Sequence, residues 1–233
     1  LKILAIETSA RAVSAAVTED SGILAASYQN TGLTHSRTLM PMVEAMLKNA
    51  DLAVADIDVI AAAVGPGSFT GIRIGVAAAK GLAFAADKPC AGVSTLEAMA
   101  RGVAHMDALI VCAMDARRNQ VYNTLFEAKS GILTRLTDDR AIALADLAEE
   151  LKNDSRPKII VGDGGALCRD FLLSAGIACS LAPARLLHQH AIGVALAAEE
   201  LAAQGSLVSA QELLPVYLRP VHAVRLSDRM MKE

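Results

Sequence analysis

The chain has 233 residues, of which 53% are hydrophobic but only 3% aromatic, with no tryptophan and a formal net charge of −3. That length suits one large domain or two smaller lobes with their own cores, and the slightly acidic balance argues against a protein that grips nucleic acid by itself. With so few rings, the core has to be packed by Ala, Leu, Ile and Val. No uninterrupted apolar run approaches the ~18 residues of a membrane span, and Glu7 and Arg11 interrupt the N-terminal apolar stretch. The expected setting is therefore the cytoplasm, without membrane contact. Cys90, Cys112, Cys168 and Cys179 are scattered and read as small buried hydrophobes of a reducing compartment.

In chain order, residues 3–8 and 12–17 read as strands, and 23–28 as a third after the turn cluster Thr18-Glu19-Asp20-Ser21-Gly22. A helix follows over 36–49, because Leu39, Met42, Val43, Met46 and Leu47 recur at helical spacing. Pro41 lies one turn inside it and predicts a late start or a slight kink. Asp58 to Val64 is a nearly continuous apolar run, as in a strand buried on both faces. Gly65-Pro66-Gly67 stops it, and Ser68 or Thr70 is placed to cap a helix over 70–86. Gly71, Gly75 and Ala79 fall four apart on that helix. Glycine inside a helix costs about 1 kcal/mol relative to alanine, so the ridge predicts close approach of another backbone or an anion cradle at the helix start.

A strand at 90–93 and a helix over 95–105 lead into the same order again. Strands are expected at 108–114, 121–127 and 132–137, a helix at 144–152, a strand at 158–161 and a helix at 166–175. The tail adds a strand near 177–181, a long Ala-rich helix over 184–204 and an extended segment over 213–220. The fold class is thus α/β, a duplicated β-β-β-α-β-α plan in two lobes, 1–105 and 106–233. It is the plan of the actin, hexokinase and sugar-kinase superfamily, whose core is ribonuclease H-like.

The sequence resembles the bacterial TsaB (YeaZ) family. The matching pieces are Ile3 to Ser9, His35-Ser36-Arg37 through Pro41, Gly65 to Lys80, Gly92 to Leu96, Asp115 to Tyr122, and Pro215-Val216-Tyr217-Leu218-Arg219. The resemblance implies a part in making threonylcarbamoyladenosine beside the tRNA anticodon. It also implies a TsaD-type subunit that carries the chemistry, a TsaE-type ATPase, and TsaC as the source of the threonylcarbamoyl-adenylate. This chain would be the non-catalytic partner: a homodimer when alone, touching tRNA only through the complex.

TsaD-type proteins hold a metal with two histidines four apart on a helix, a spacing that brings both imidazoles to one face. The matching segment here is Val93-Ser94-Thr95-Leu96-Glu97-Ala98-Met99, so Thr95 and Met99 stand at the ligand positions and no metal is expected. His188 and His190, two apart on the expected tail helix, face different ways. The two interlobe turns, Glu7 to Arg11 and Asp115 to Asn119, lack the glycines that admit phosphate. Thr8, Ser9 and Arg117 could still donate to an anion, and Gly162, Gly164 and Gly165 resemble an adenosine-side loop. ATP or ADP is expected to bind only weakly, or only in the complex, and no cofactor is assigned. Gly67 to Gly71 lacks the spacing of a nucleophile elbow, and no catalytic residue is assigned. The docking surface is expected on the first lobe, at His35, Leu39, Met42, Val43, Met46, Arg73, Ala77 and Lys80. The rival readings are an actin-superfamily enzyme with its own ATP or metal site, as in a kinase or a glycoprotease-like metallohydrolase, and a homodimeric scaffold.

Overall fold

A computed structural model of the chain describes residues 1–219. Pro220 and the rest of the expected second lobe to 233 lie outside the described residues. The first half is β1 (Lys2–Glu7), β2 (Val13–Glu19), β3 (Gly22–Gln29), α1 (His35–Asn49), β4 (Val59–Gly65), α2 (Phe69–Ala86) and β5 (Cys90–Ser94). After α3 (Thr95–Arg101) come β6 (Ala108–Asp115), β7 (Gln120–Lys129), β8 (Ile132–Arg135), β9 (Arg140–Ala143), α4 (Leu144–Leu151), β10 (Lys158–Val161) and α5 (Gly165–Ser174). The described chain closes with β11 (Ser180–Leu181), α6 (Ala191–Ala203) and an irregular segment. The plan repeats as expected.

The first five strands form one sheet in the order β3-β2-β1-β4-β5, and a second sheet runs β11-β10-β6-β7-β8, with β9 also on β7. In both, the antiparallel hairpins lie on one side and the parallel crossovers on the other. Every residue of β4 is buried, because the sheet is covered twice. Ile60, Ala62 and Val64 point into the core under α1 and α2, while Val59, Ala61 and Ala63 face Val194, Ala195 and Ala198 of α6. The period-2 alternation of a strand thus feeds two cores, which explains an apolar run rather than an alternating one. In the second sheet, Leu109, Val111 and Ala113 pack against α4 and α5, and Ile110, Cys112 and Met114 against α3.

α3 and α6 meet between the sheets, so closely that a Cβ on Gly193 would lie 2.0 Å from the Ala98 carbonyl oxygen. The spatial lobes therefore do not divide at residue 105. α3 packs in the second core and α6 returns to the first sheet, because an Ala-rich helix that is apolar all round must be covered on every side. Some boundaries move. β7 is long enough for β8 to pair with its second half and β9 with its first, and β9 has no counterpart among the expected strands. α3 ends at Gly102, earlier than expected. α6 begins late, after a 3-10 turn over 184–186, with His190 as its N-cap.

Among the described residues, α2 alone has the length and composition of a membrane span, although Arg73 and Lys80 interrupt its apolar run. Its Ile72, Gly75, Val76, Ala79 and Ala83 are buried in the first lobe.

Candidate functional site: the interlobe cleft and the outer face of α1 and α2

The turn between β4 and α2 sets the geometry of the cleft. Ser68 caps α2, its Oγ accepting from the Gly71 amide at 3.2 Å, and its own amide donates to the Ser9 carbonyl at 2.6 Å. The small-residue ridge packs against the end of β1. A Cβ on Gly71 would lie 2.1 Å from the Thr8 carbonyl oxygen, and one on Gly75 would lie 2.2 Å from Thr8 Oγ1. Of the two meanings of the ridge, close backbone approach is therefore the one realised, and it is internal.

That packing commits the Thr8 hydroxyl, one of the expected anion donors, and encloses Ser9. Thr8 is buried and its hydroxyl donates to the Gly71 carbonyl at 2.8 Å. Ser9 is buried, and its amide donates to Glu7 Oε1. A donor buried in such a bond is not available to a phosphate. Glu7, absent from the sequence-based assignment, is the notable group. It is wholly buried, its Oε2 has no hydrogen-bond partner among the described residues, and burial lifts its carboxyl to about 7. Across the cleft, burial also raises Asp163, whose Oδ1 lies 3.5 Å from Gln189 Nε2. The only sign of this pair in the sequence is an acid ending an apolar strand.

In the second turn Arg117 is exposed at positive φ, its Nη1 3.4 Å from Asp115 Oδ2. The glycines resembling an adenosine-side loop are closely packed. A Cβ on Gly162 would lie 2.2 Å from the Ala113 carbonyl oxygen, and one on Gly164 would lie 2.7 Å from the Asp115 amide. Gly165 sits against Leu181 and Ile160. Of the two hydroxyls at the first turn, Thr8 Oγ1 is committed to the Gly71 carbonyl, whereas Ser9 Oγ is buried without a partner among the described residues. Among the described residues no three His, Cys, Asp or Glu side chains lie together as a metal set, and Thr95 and Met99 are buried in the fold. His190 does not share a helix with His188: its Nδ1 accepts from the Ile192 amide at the start of α6.

The closing segment straps the lobes. The Val216 amide donates to the Val64 carbonyl at 2.8 Å, and a Cβ on Gly65 would lie 2.3 Å from the Val216 carbonyl oxygen. Lys80 donates to the carbonyls of Gln211 and Leu213 at 3.0 and 3.2 Å, and Arg219 reaches the Ala116 carbonyl of the other lobe at 2.5 Å.

These contacts revise the docking residues. Leu39, Met42, Val43 and Met46 are buried in the first core, because the apolar stripe of α1 is spent covering the sheet. His35 is tied by Nε2 to the Ala10 carbonyl, and Lys80 holds the closing segment. Arg73 donates to the Tyr217 hydroxyl at 2.9 Å. Ala77 is exposed as expected, and so are Gly81 and Phe84, which continue its line along α2. Phe84, missed in the sequence, is 76% exposed, and Met40 of α1 is 42% exposed. Isolated exposed apolar residues are ordinary, but Met40 lines a groove with Pro41, Leu52, Val54 and Leu82, and Phe84 lines a separate one with Ala83, Pro89 and Val208.

Comparison with known proteins adds identity to this geometry. The family model described as "TsaD: tRNA N6-adenosine threonylcarbamoyltransferase" matches residues 27–221. The "tRNA threonylcarbamoyladenosine biosynthesis protein TsaB" of Bacillus subtilis is 38% identical over 172 residues, covering 74% of this chain and 75% of that protein. Its Escherichia coli namesake is 31% identical over 222 residues, covering 94% and 95%. Among solved structures, "YeaZ from Pseudomonas aeruginosa" superimposes with a TM-score of 0.79 at 29% identity, covering 93% of this chain and 99% of that one. The family model carries the name of an enzyme, whereas the full-length relatives are TsaB, and the relatives are the more specific match. The chain has the two-lobed actin-like fold and belongs to the TsaB family, proteins of tRNA threonylcarbamoyladenosine biosynthesis.

Proposed function

We propose that this chain is a non-catalytic subunit that docks on a TsaD-type enzyme and holds it competent. The observation that carries the reading is the line Ala77, Gly81 and Phe84 on α2, small and apolar and exposed among the described residues. Small residues let two helices approach closely, and a ring beside them supplies buried area. The cleft supports the same reading from the other side, since the Thr8 hydroxyl is committed to the Gly71 carbonyl and Thr95 and Met99 stand where TsaD-type proteins carry histidine. We assign no cofactor, metal or catalytic residue to the isolated chain. When alone, the chain pairs with itself. A TsaE-type ATPase joins the assembly, and tRNA is met only through the complex.

Reconstitution tests this reading. A TsaD-type subunit, a TsaE-type ATPase and threonylcarbamoyl-adenylate are incubated with tRNA, with and without this chain, and modified adenosine is counted. Modification is expected only when the chain and the TsaD-type subunit are both present. Modification by the chain without the TsaD-type subunit, or equal modification when the chain is omitted, overturns the proposal.

A further inference from the structure

The chain has only three tyrosines and four phenylalanines, yet Phe69, Tyr122 and Tyr217 line a single cavity between the lobes, together with Arg219. On one wall the Arg73 guanidinium lies 3.8 Å from the Phe69 ring centroid, and its Nε holds the Tyr217 hydroxyl at 2.9 Å. Phe69 and Tyr217 are 5.1 Å apart between centroids, tilted by 36°. On the other wall Arg219 lies 5.9 Å from the Tyr122 centroid, its Nη1 held by the Ala116 carbonyl. Each wall thus carries an aromatic ring with a guanidinium beside it, Arg219 in the lining itself and Arg73 stacked on Phe69 outside the lining, and both are held by intramolecular contacts, which lowers the ordering cost of binding.

We propose that this cleft takes an unpaired nucleobase, presented by the RNA that the complex works on. The inference rests on the proposed function for the presence of RNA, and on the cleft alone for the chemistry. Base–aromatic stacking with arginine beside it is the usual means of holding an unpaired base without reading its sequence. The cavity, about 220 Å³, falls below the roughly 300–1,000 Å³ of sites that enclose a drug-sized molecule, and so suits one ring system better than a whole cofactor. A chain of net charge −3 has no field to track a phosphate backbone, so a stacking contact is what it can add to a complex.

The test uses the chain bound to its TsaD-type subunit, a fluorescent anticodon stem-loop and, as a second probe, AMP. Tyr122→Leu lies on β7, off the helix that carries the Ala77–Phe84 line, and Phe69→Leu lies at the start of α2, eight residues before Ala77; both keep apolar bulk. Each is expected to weaken the stem-loop by about ten-fold, within the range of a lost stacking contact, without changing heterodimer formation or melting temperature. AMP competition with the same dependence on both variants assigns the cleft to a free nucleotide; stem-loop binding indifferent to AMP assigns it to RNA. Folded variants that bind the stem-loop with wild-type affinity overturn the proposal, as does protection of residues 215–219 from hydrogen exchange by the TsaD-type subunit alone, since a protein would then cover the cleft. If no heterodimer forms, the proposed function fails by itself. Photocrosslinking of a 4-thiouridine stem-loop to the isolated chain then decides the cleft: adducts on Phe69, Tyr122 or Tyr217 support it, and their absence overturns it.

Discussion

Glu7 ends β1 inside the protein, and its burial lifts the carboxyl from its ordinary 4.5 to about 7. A group held above its unfolded pKa keeps its proton in the folded state. Its contribution is therefore complete below about pH 4.5 and is lost as pH rises through about 7. At ~1.4 kcal/mol per unit the span amounts to about 3 kcal/mol. Glu7→Gln, which keeps the acceptor for the Ser9 amide, should flatten the stability profile between pH 5 and 8 and stabilise the protein at pH 8, as read by urea unfolding across that range. A variant with the same pH profile as the wild type would show that Glu7 is not the titrating group. Residues of this kind are the least legible in a sequence. Ile6-Glu7-Thr8 shows an acid at the end of an apolar strand, but whether water reaches it depends on where Ser68 and Asp163 come to lie. Thr8 looked like a phosphate donor for the same reason: its residue type was visible and its partner, the Gly71 carbonyl, was not.

At the scale of the element, α2 contains glycines of opposite character. Gly71 abuts the Thr8 carbonyl, whereas a Cβ on Gly81 would meet nothing within 4 Å. Gly71→Ala should destabilise the chain by about 1–3 kcal/mol or more through overpacking. Gly81→Ala should stabilise it by up to about 1 kcal/mol through helix propensity. Thermal melting of the two single variants checks the pair, and equal shifts would contradict the packing described. β1, β4 and β6 were legible because a strand covered on both faces must be an uninterrupted apolar run, and α1 because its stripe has the helical period. The start of α6 was not, since a helix apolar all round has no phase and His190 marks its cap only once the ring is seen accepting from the Ile192 amide. β9 was hidden for a different reason: it exists because β7 has a free half to pair with.

For the whole molecule, the repeated element order revealed two lobes, but the crossing of α3 and α6 is a tertiary fact with no local signal. The stripe Leu39, Met42, Val43 and Met46 shows the consequence. An amphipathic helix declares that one face needs cover, and its own sheet supplied that cover before any partner could. On α2, what remains outward is the line Ala77, Gly81 and Phe84. Ala77→Glu tests it most directly, by titration of the variant into a TsaD-type subunit alongside thermal melting of the free chain. The exposed position predicts a free-chain stability within about 0.5 kcal/mol of wild type. Burying the carboxylate at the interface predicts a loss of about 2–3 kcal/mol, or thirty- to hundred-fold in Kd. A normally folded Ala77→Glu chain that binds the TsaD-type subunit with wild-type Kd would contradict the account.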